Sequence, residues 1–521
     1  MTQTALIFGD GSTAALAAEE LTSAGLQVQI STPEETLDGN LPMEGAKLLP
    51  QTTPRFCRCT ERGYLIGLNG SDTTREVRAE HVAVAMESVR VPLFKGYGLE
   101  PSPRVLSLSQ AAAGTPDITT SGKGAPPTVL FLIGLFQETH PVITEQALRC
   151  ALAFQDEAGF RCVVMTGNLK VAADGLEALY RDCRSHGIWF VKRTSPLGDI
   201  QQDESGVVHV TYRDEVTREA FALRADLTVV DEGIVPSPAL SRLAEVLELE
   251  KDSDGFVQAD NVHRLPVYTN RKNIWIIGPS RAILGPEAVR MDVAWLAREA
   301  GWKAEKQQPP PEDRAQIDTG LCVRCLTCHR LCPYRAVTIG SRMTVDPHRC
   351  ERCGICAAEC PALAIRIPGV EPALLPSRPK DRPGAGEGMP SPEILAFGCG
   401  RSAVPARQMA LDMGRTLPKG LRVLEVPCAG SVSVHHVLSA LLAGADGVML
   451  LHCHPDNCHS GSGNRLALQR MKRIQDMAAA VGMEPDRIMA IGLASNMGAI
   501  FSDRANRFEA FLRELGPLGK K

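Results

Sequence analysis

Long hydrophobic runs are missing from this chain of 521 residues. The best candidate, "VLSALLAGADGVMLL", is shorter than the roughly 20 apolar residues needed to span a bilayer, and it carries Asp446. Aromatic residues make up only 5%, net charge is −4, and no basic stripe interleaved with aromatics occurs, so the electrostatic footprint of a nucleic-acid binder is lacking. The opening "MTQTALIFGDG" enters an apolar strand and a glycine turn directly, without the basic and apolar regions of a secretory signal. These absences predict a soluble, cytoplasmic protein with no nucleic-acid partner and no membrane span of its own. At this length one core is not enough, and three or four domains are expected.

Cysteine, by contrast, is abundant: there are 17, and twelve fall between Cys322 and Cys458. Cytosolic thiols are kept reduced, so a disulfide framework is excluded and the clustering points to metal ligation. Cys57, Cys59, Cys150, Cys162 and Cys183 lie outside the cluster without ligand spacing. They are read as small buried hydrophobes.

Two runs, "CVRCLTCHRLCP" from Cys322 and "CERCGICAAECP" from Cys350, share the pattern Cys-x2-Cys-x2-Cys-x3-Cys-Pro. This is the two-cluster bacterial ferredoxin spacing, in which three thiolates of one loop bind three irons of a cubane and the other run supplies the fourth ligand. Cys322, Cys325, Cys328 and Cys360 are thus expected to hold one 4Fe-4S cluster, and Cys350, Cys353, Cys356 and Cys332 the other. Pro333 and Pro361 end each loop, and Gly354 eases a turn among the ligands. Paired tetrahedral zinc sites would need two CxxC pairs rather than two triplets.

The remaining segments alternate strand and helix patterns. "TALIFGDG", "STAALAAEELTSAG" and "LQVQIS" read as a β-turn-α-β unit whose turn is Gly9-x-Gly11-x-x-Ala14, a variant of the dinucleotide fingerprint. Its expected acidic partner at the end of the second strand is replaced by Ser31. A second α/β unit follows, with strands "TVLFLIGL", "RCVVMTG" and "IWFVKRT", helices starting near Ile143 and Asp174, and from Gly206 antiparallel strands returning to the sheet. "NIWIIGP" is a further buried strand and "EAVRMDVAWLAREAG" a closing helix. Proline-rich "KQQPPPEDRAQ" and the stretch 369–391 act as linkers. Together they divide the chain into 1–304, 313–368 and 392–521.

In the last part, three apolar strands deliver Cys399, Cys428 and Cys453 at their carboxyl ends, and Cys458 follows in "HCHPDNCHSGSGN". In an open parallel sheet ligands bind outside those ends, so the four thiols should converge. Helices are expected from Ser402, Ser431 and Ser462. The set suits a 2Fe-2S cluster or structural zinc, and the alternative is core cysteines at strand ends. His452, His454 and His459 share the loop as outer donors, or as ligands if the metal is zinc.

The order of parts resembles a known family. The flavoprotein-like region with the cysteine repeat is similar to the A subunit of heterodisulfide reductase. The last domain resembles the delta subunit of methyl-viologen-reducing hydrogenase, whose "GCHPGDCH"-like loop matches "HCHPDNCHSGSGN". Their fusion is similar to the B subunit of the quinone-interacting membrane-bound oxidoreductase complex. The resemblance implies an α/β and α+β multidomain fold: a Rossmann-type flavoprotein-like region, a two-cluster ferredoxin domain and a C-terminal α/β iron-sulfur domain. It also implies a 2Fe-2S cluster on Cys428, Cys453 and Cys458, with Cys399 serving where the family's opening motif is reduced to "GCGRS".

FAD is implied as well, but the family's "ATG" turn is replaced by "AVAMES" near Ala85 and its last motif by "GPS" at Gly278. Either FAD is held by altered contacts or the domain has become a docking scaffold. Survival of Gly9, Gly11 and Ala14, at a turn where the bare fold would accept larger residues, favours retained FAD. The expected function is an electron-transfer oxidoreductase subunit without catalytic residues of its own. It would be associated through heterodisulfide reductase-like, hydrogenase-like or quinone-linked partners. Rival readings are a self-contained NAD(P)H-dependent flavin oxidoreductase, for which "FLIGLFQETH" lacks a second fingerprint, and a zinc-stabilised assembly scaffold.

Overall fold

The structure is a computed structural model describing residues 3–36, 45–60, 63–70, 73–114, 126–169, 173–193, 200–214, 217–257, 266–305, 312–370, 392–455 and 457–518. Most of the first linker, the second linker from 371 and Asp456 in the histidine-rich loop lie outside the described residues.

The N-terminal unit is a parallel five-stranded sheet in the order Ile274–Ile276, His81–Ala85, Thr4–Gly9, Gln27–Ser31, Ala46–Leu49. The strand predicted from "NIWIIGP" therefore belongs to this first sheet, and the second α/β unit is an insertion between Ala85 and Ile274. Helix Ser12–Ser23 packs on the sheet through Ala14, Ala17, Ala18 and Leu21, and the three alanines let helix and strands approach closely. An antiparallel meander, Thr53–Thr60, Gly63–Asn69 and Thr74–Ala79, stands beside the sheet.

The second sheet is also parallel, in the order Trp189–Lys192, Arg161–Thr166, Thr128–Ile133, Leu227–Val230, Val105–Ser107. Here the expected antiparallel return is corrected. Val208–Arg213 and Ala220–Ala225 form a separate sheet with Ile200–Gln202, and only Leu227–Val230 rejoins, running parallel. Asp226 makes the change of direction: its carboxylate accepts from the Thr128 amide at 3.0 Å while its own amide donates to the Thr128 carbonyl at 2.9 Å. Cys150, Cys162 and Cys183 lie in this unit's core, where burial pushes their thiols up to about 11, 12 and 11.

Between 312 and 370 regular structure is short. Gln316–Ile317 pairs with Ile365–Arg366, Val337–Ile339 pairs with Met343–Val345, and single-turn helices occupy Thr327–Leu331 and Ile355–Ala358. The C-terminal part is a parallel sheet in the order Leu421–Val426, Ile394–Cys399, Gly447–His452, Ile488–Gly492. Its fourth strand extends the three expected. The helix expected from Ser431 starts at Val434, because a 3-10 turn over Ala429–Ser431 comes first and Ser433 caps the helix that follows.

Candidate metal centres

The duplicated cysteine runs share a backbone as well as a spacing. Arg324 and Leu326 in the first run, and Arg352 and Gly354 in the second, all have positive φ, between 53° and 74°. Arg335 and Leu363, three residues past the fourth cysteine of each run, also have positive φ, 49° and 53°. Alternation of left- and right-handed residues turns successive amides towards one point, the concave arrangement that receives an anion. Matching amides, Ala336 N and Ala364 N, donate to the Cys332 and Cys360 sulfurs, each at 3.3 Å.

Each run lines its own cavity and reaches into the other. Cys322, Cys325 and Cys328 share one cavity with Cys360, roofed by Met343 and Ile365. Cys350, Cys353 and Cys356 share a second with Cys332, closed by Tyr334, Ile355 and Ile367. Among the described residues no three His, Cys, Asp or Glu side chains are arranged to hold a single metal ion. Zinc draws its sulfurs to about 2.3 Å from one point, whereas a cubane gives each thiolate its own iron. Four thiols on each cavity, three from one run and one from the other, are the donor set that a cubane takes.

The two cages differ in exposure. Cys325 is exposed and Cys322 and Cys360 are half-buried, whereas all four thiols of the second cage are buried. Burial pushes Cys353 up to about 12 and Cys356 well above the ordinary thiol range. Four thiolates in such a dry pocket require a cationic centre to offset their desolvation. At the surface, the Thr327 side chain holds Cys325 below the ordinary value.

Cys399, Cys428, Cys453 and Cys458 meet at the carboxyl edge of the C-terminal sheet, all buried. Their thiols form a chain of contacts, Cys399 with Cys453, Cys453 with Cys458, and Cys458 with Cys428. Sharing of protons holds Cys399 and Cys458 below the usual value and drives Cys453 and Cys428 above it. The Gly430 amide donates to the Cys428 sulfur at 3.4 Å. Gly463, not singled out from the sequence, is essential here, since a methyl group on it would fall 2.5 Å from that sulfur. Its only sequence signal is the small-residue run "GSG" after Cys458. His452 spends Nδ1 on the Cys453 carbonyl and His454 its Nε2 on the Met497 sulfur.

The second ferredoxin cage and the C-terminal cage are neighbours. Cys332, Cys350, Cys353, Cys356, Cys428, Cys453 and Cys458 belong to one buried cluster, with Ile355 packed against both Gly430 and Gly463. The Tyr334 hydroxyl donates to Ser460 Oγ at 3.2 Å. Arg470, also missed in the sequence, bonds Glu359 beside Cys360 and the carbonyls of Gly430 and Val432 beyond Cys428. On the opposite flank, Arg349 donates to the Gly63 carbonyl, and Tyr64 lies against Arg349 and Arg271, with guanidinium carbons 4.6 and 5.0 Å from its ring centre. Cys57 and Cys59 are not plain core residues, since both sulfurs face Arg271, at 3.9 and 3.1 Å. A cleft of about 1040 Å³ opens where the three parts meet, with Cys332 and Cys458 both on its wall.

The dinucleotide turn is built differently from what its letters suggest. A methyl group on Gly9 would fall 2.4 Å from Ala14 Cβ and 2.8 Å from the Ala85 carbonyl. Close packing of helix on sheet therefore demands small residues here, so their presence is accounted for with or without FAD. A methyl on Gly11 would meet Glu87 Cγ at 2.4 Å, and Glu87 Oε1 accepts from the Thr13 amide at 3.1 Å. Ser31 is occupied by a 2.8 Å hydrogen bond to Thr52. With the Glu87 carboxylate on the Thr13 amide, where a pyrophosphate would sit, FAD does not fit this turn as it stands.

Residues 394–516 match the family model described as methyl-viologen-reducing hydrogenase, delta subunit, and residues 343–366 a 4Fe-4S binding domain. The A subunit of the ferredoxin:CoB-CoM heterodisulfide reductase from Methanosarcina mazei is 27% identical over 361 residues, 68% of this chain and 44% of that protein. The iron-sulfur D subunit of the F420-non-reducing hydrogenase from Archaeoglobus profundus is 33% identical over 126 residues, 24% of this chain and 92% of that protein. Among solved structures, a thioredoxin reductase from T. acidophilum is 14% identical with a TM-score of 0.40, covering 58% of this chain and all of that one. The chain thus spans less than half the length of the heterodisulfide reductase protein it matches. No helix among the described residues is long and apolar enough to cross a membrane.

Proposed function

Through residues 394–516 the chain belongs to the family of the methyl-viologen-reducing hydrogenase delta subunit, fused behind a segment like the heterodisulfide reductase relative, and from this we propose that it is an electron-transfer subunit of an oxidoreductase complex. Its three parts are 1–304, 313–368 and 392–521. Partners of heterodisulfide reductase-like, hydrogenase-like or quinone-linked type would supply the substrate chemistry. The observation that carries this reading is the continuity of the cages: thiols of the second ferredoxin cage and of the C-terminal cage lie in one buried cluster, and the first cage reaches solvent at Cys325.

Two 4Fe-4S clusters and one 2Fe-2S cluster, when bound, would supply one-electron exchange without bond rearrangement. Cys322, Cys325, Cys328 and Cys360 would hold the outer cubane, and Cys332, Cys350, Cys353 and Cys356 the inner one. Cys399, Cys428, Cys453 and Cys458 would hold the 2Fe-2S group. Ile355 and Tyr334 exclude water between inner and C-terminal cages, and Gly354, Gly430 and Gly463 let the loops approach. The cleft bordered by Cys332 and Cys458 gives a partner access to both.

Anaerobic purification followed by iron and acid-labile sulfide analysis tests this. About ten irons per chain are expected, and C458S should lose about two of them while the 4Fe-4S signals persist. Zinc in place of iron, without sulfide, would select the assembly scaffold instead.

A further inference from the structure

The end of the first sheet is closed by its own side chains. Glu87, at the position where the strand His81–Ala85 runs out, folds over Gly11 and places its carboxylate on the Thr13 amide, with Ser12 Oγ 3.5 Å from the same oxygen. The Glu87 amide donates in return to Asp10 Oδ1 at 2.8 Å, so turn and strand end are tied reciprocally. Nearby, Ser280 Oγ accepts from the Met86 amide at 2.6 Å and donates to the Met86 carbonyl at 3.0 Å. Asp292 accepts from the Gly278 amide and from Arg281, at 3.0 and 2.6 Å.

We propose that Glu87 is an internal anion occupying the pyrophosphate seat, and that residues 1–304 serve as a flavin-free scaffold that positions the inner ferredoxin cage. Two physical reasons combine. A helix N-terminus offers a few unpaired amides and a positive partial charge, and a carboxylate satisfies both as a phosphate would. A dinucleotide would have to expel Glu87 and put two negative charges in place of one beside Asp10, which is already desolvated. The scaffold role has its own contacts: Arg349, next to Cys350, is anchored on the Gly63 and Thr60 carbonyls, and Lys272 pairs with Glu351 at 3.8 Å.

The test measures FAD retained by the iron-loaded chain after incubation with excess FAD and gel filtration, with iron content reporting the fold. Wild type should retain only traces. E87G removes both bulk and charge and should bind FAD at least about tenfold more tightly than wild type, with E87Q gaining less because the amide keeps the bulk. If E87G loses its iron, E87Q carries the comparison. One FAD per wild-type chain, or no gain in a variant that keeps its iron, overturns the proposal.

Discussion

The two ferredoxin cages have the same spacing, the same left-handed backbone positions and the same amide-to-sulfur bonds, yet one is open to solvent and the other is enclosed. The repeat does not cause the difference. The inner cage is covered on one flank by the Arg349 and Tyr64 seam and on the other by Ile355, Tyr334 and the C-terminal cage. Duplication therefore provides two equivalent loops, and neighbouring domains make them unequal. Solvent access and nearby charge are among the factors that set cluster potentials, so identical ligand sets here should differ in redox behaviour.

The largest expected effect contrasts the ligands themselves. C356S should abolish the inner cluster and loosen both seams, with loss of about four irons and a lower thermal midpoint, whereas C325S should alter the outer cluster alone. Calorimetry with iron analysis checks this, and equal destabilisation by both variants would contradict the asymmetry. Next, Gly463→Ala should empty the C-terminal centre of about two irons, because the added methyl collides with the Cys428 sulfur, and leave both 4Fe-4S electron paramagnetic signals in place.

Chelator or limited oxygen should remove iron from the exposed outer cage before the inner one, seen as two phases of bleaching; a single phase would mean the cages are equally reachable. Replacing Arg349 by methionine removes a buried cation beside Cys350 and should lower the inner potential by up to roughly 60 mV, one tenfold step for a one-electron couple. The corresponding lysine variant should recover part of the shift, which a purely structural role would not. Smallest of all, Leu326→Gly should change stability by no more than about 1 kcal/mol, because relief of a left-handed side chain is offset by the loss of its partly buried contact with the cage cluster. Gly354→Ala at the matching inner position should cost more, since Ser431 Cβ lies 2.4 Å from the added methyl.

How much of this was legible in the sequence follows from how local each feature is. The ferredoxin ligands are closely spaced within two short loops, so their spacing already implies the wrapping. Cys399, Cys428 and Cys453 could be read because a parallel sheet brings carboxyl ends to one edge. The expected antiparallel return after Gly206 failed because periodicity marks strands without marking partners, and Asp226 redirects the chain. Gly9 and Ala14 left two readings open because letters that suit a dinucleotide also suit a tight helix-sheet contact.

By itself the sequence determined the duplicated cysteine loops and the α/β alternation on either side of them, since both rest on neighbours along the chain. Only the tertiary structure decided which cage is enclosed, that Arg470 links Glu359 to the Cys428 loop, and that Glu87 reaches a turn 75 residues before it. Burial, charge proximity and occupancy of a seat depend on segments far apart in the chain, and no spacing pattern encodes them.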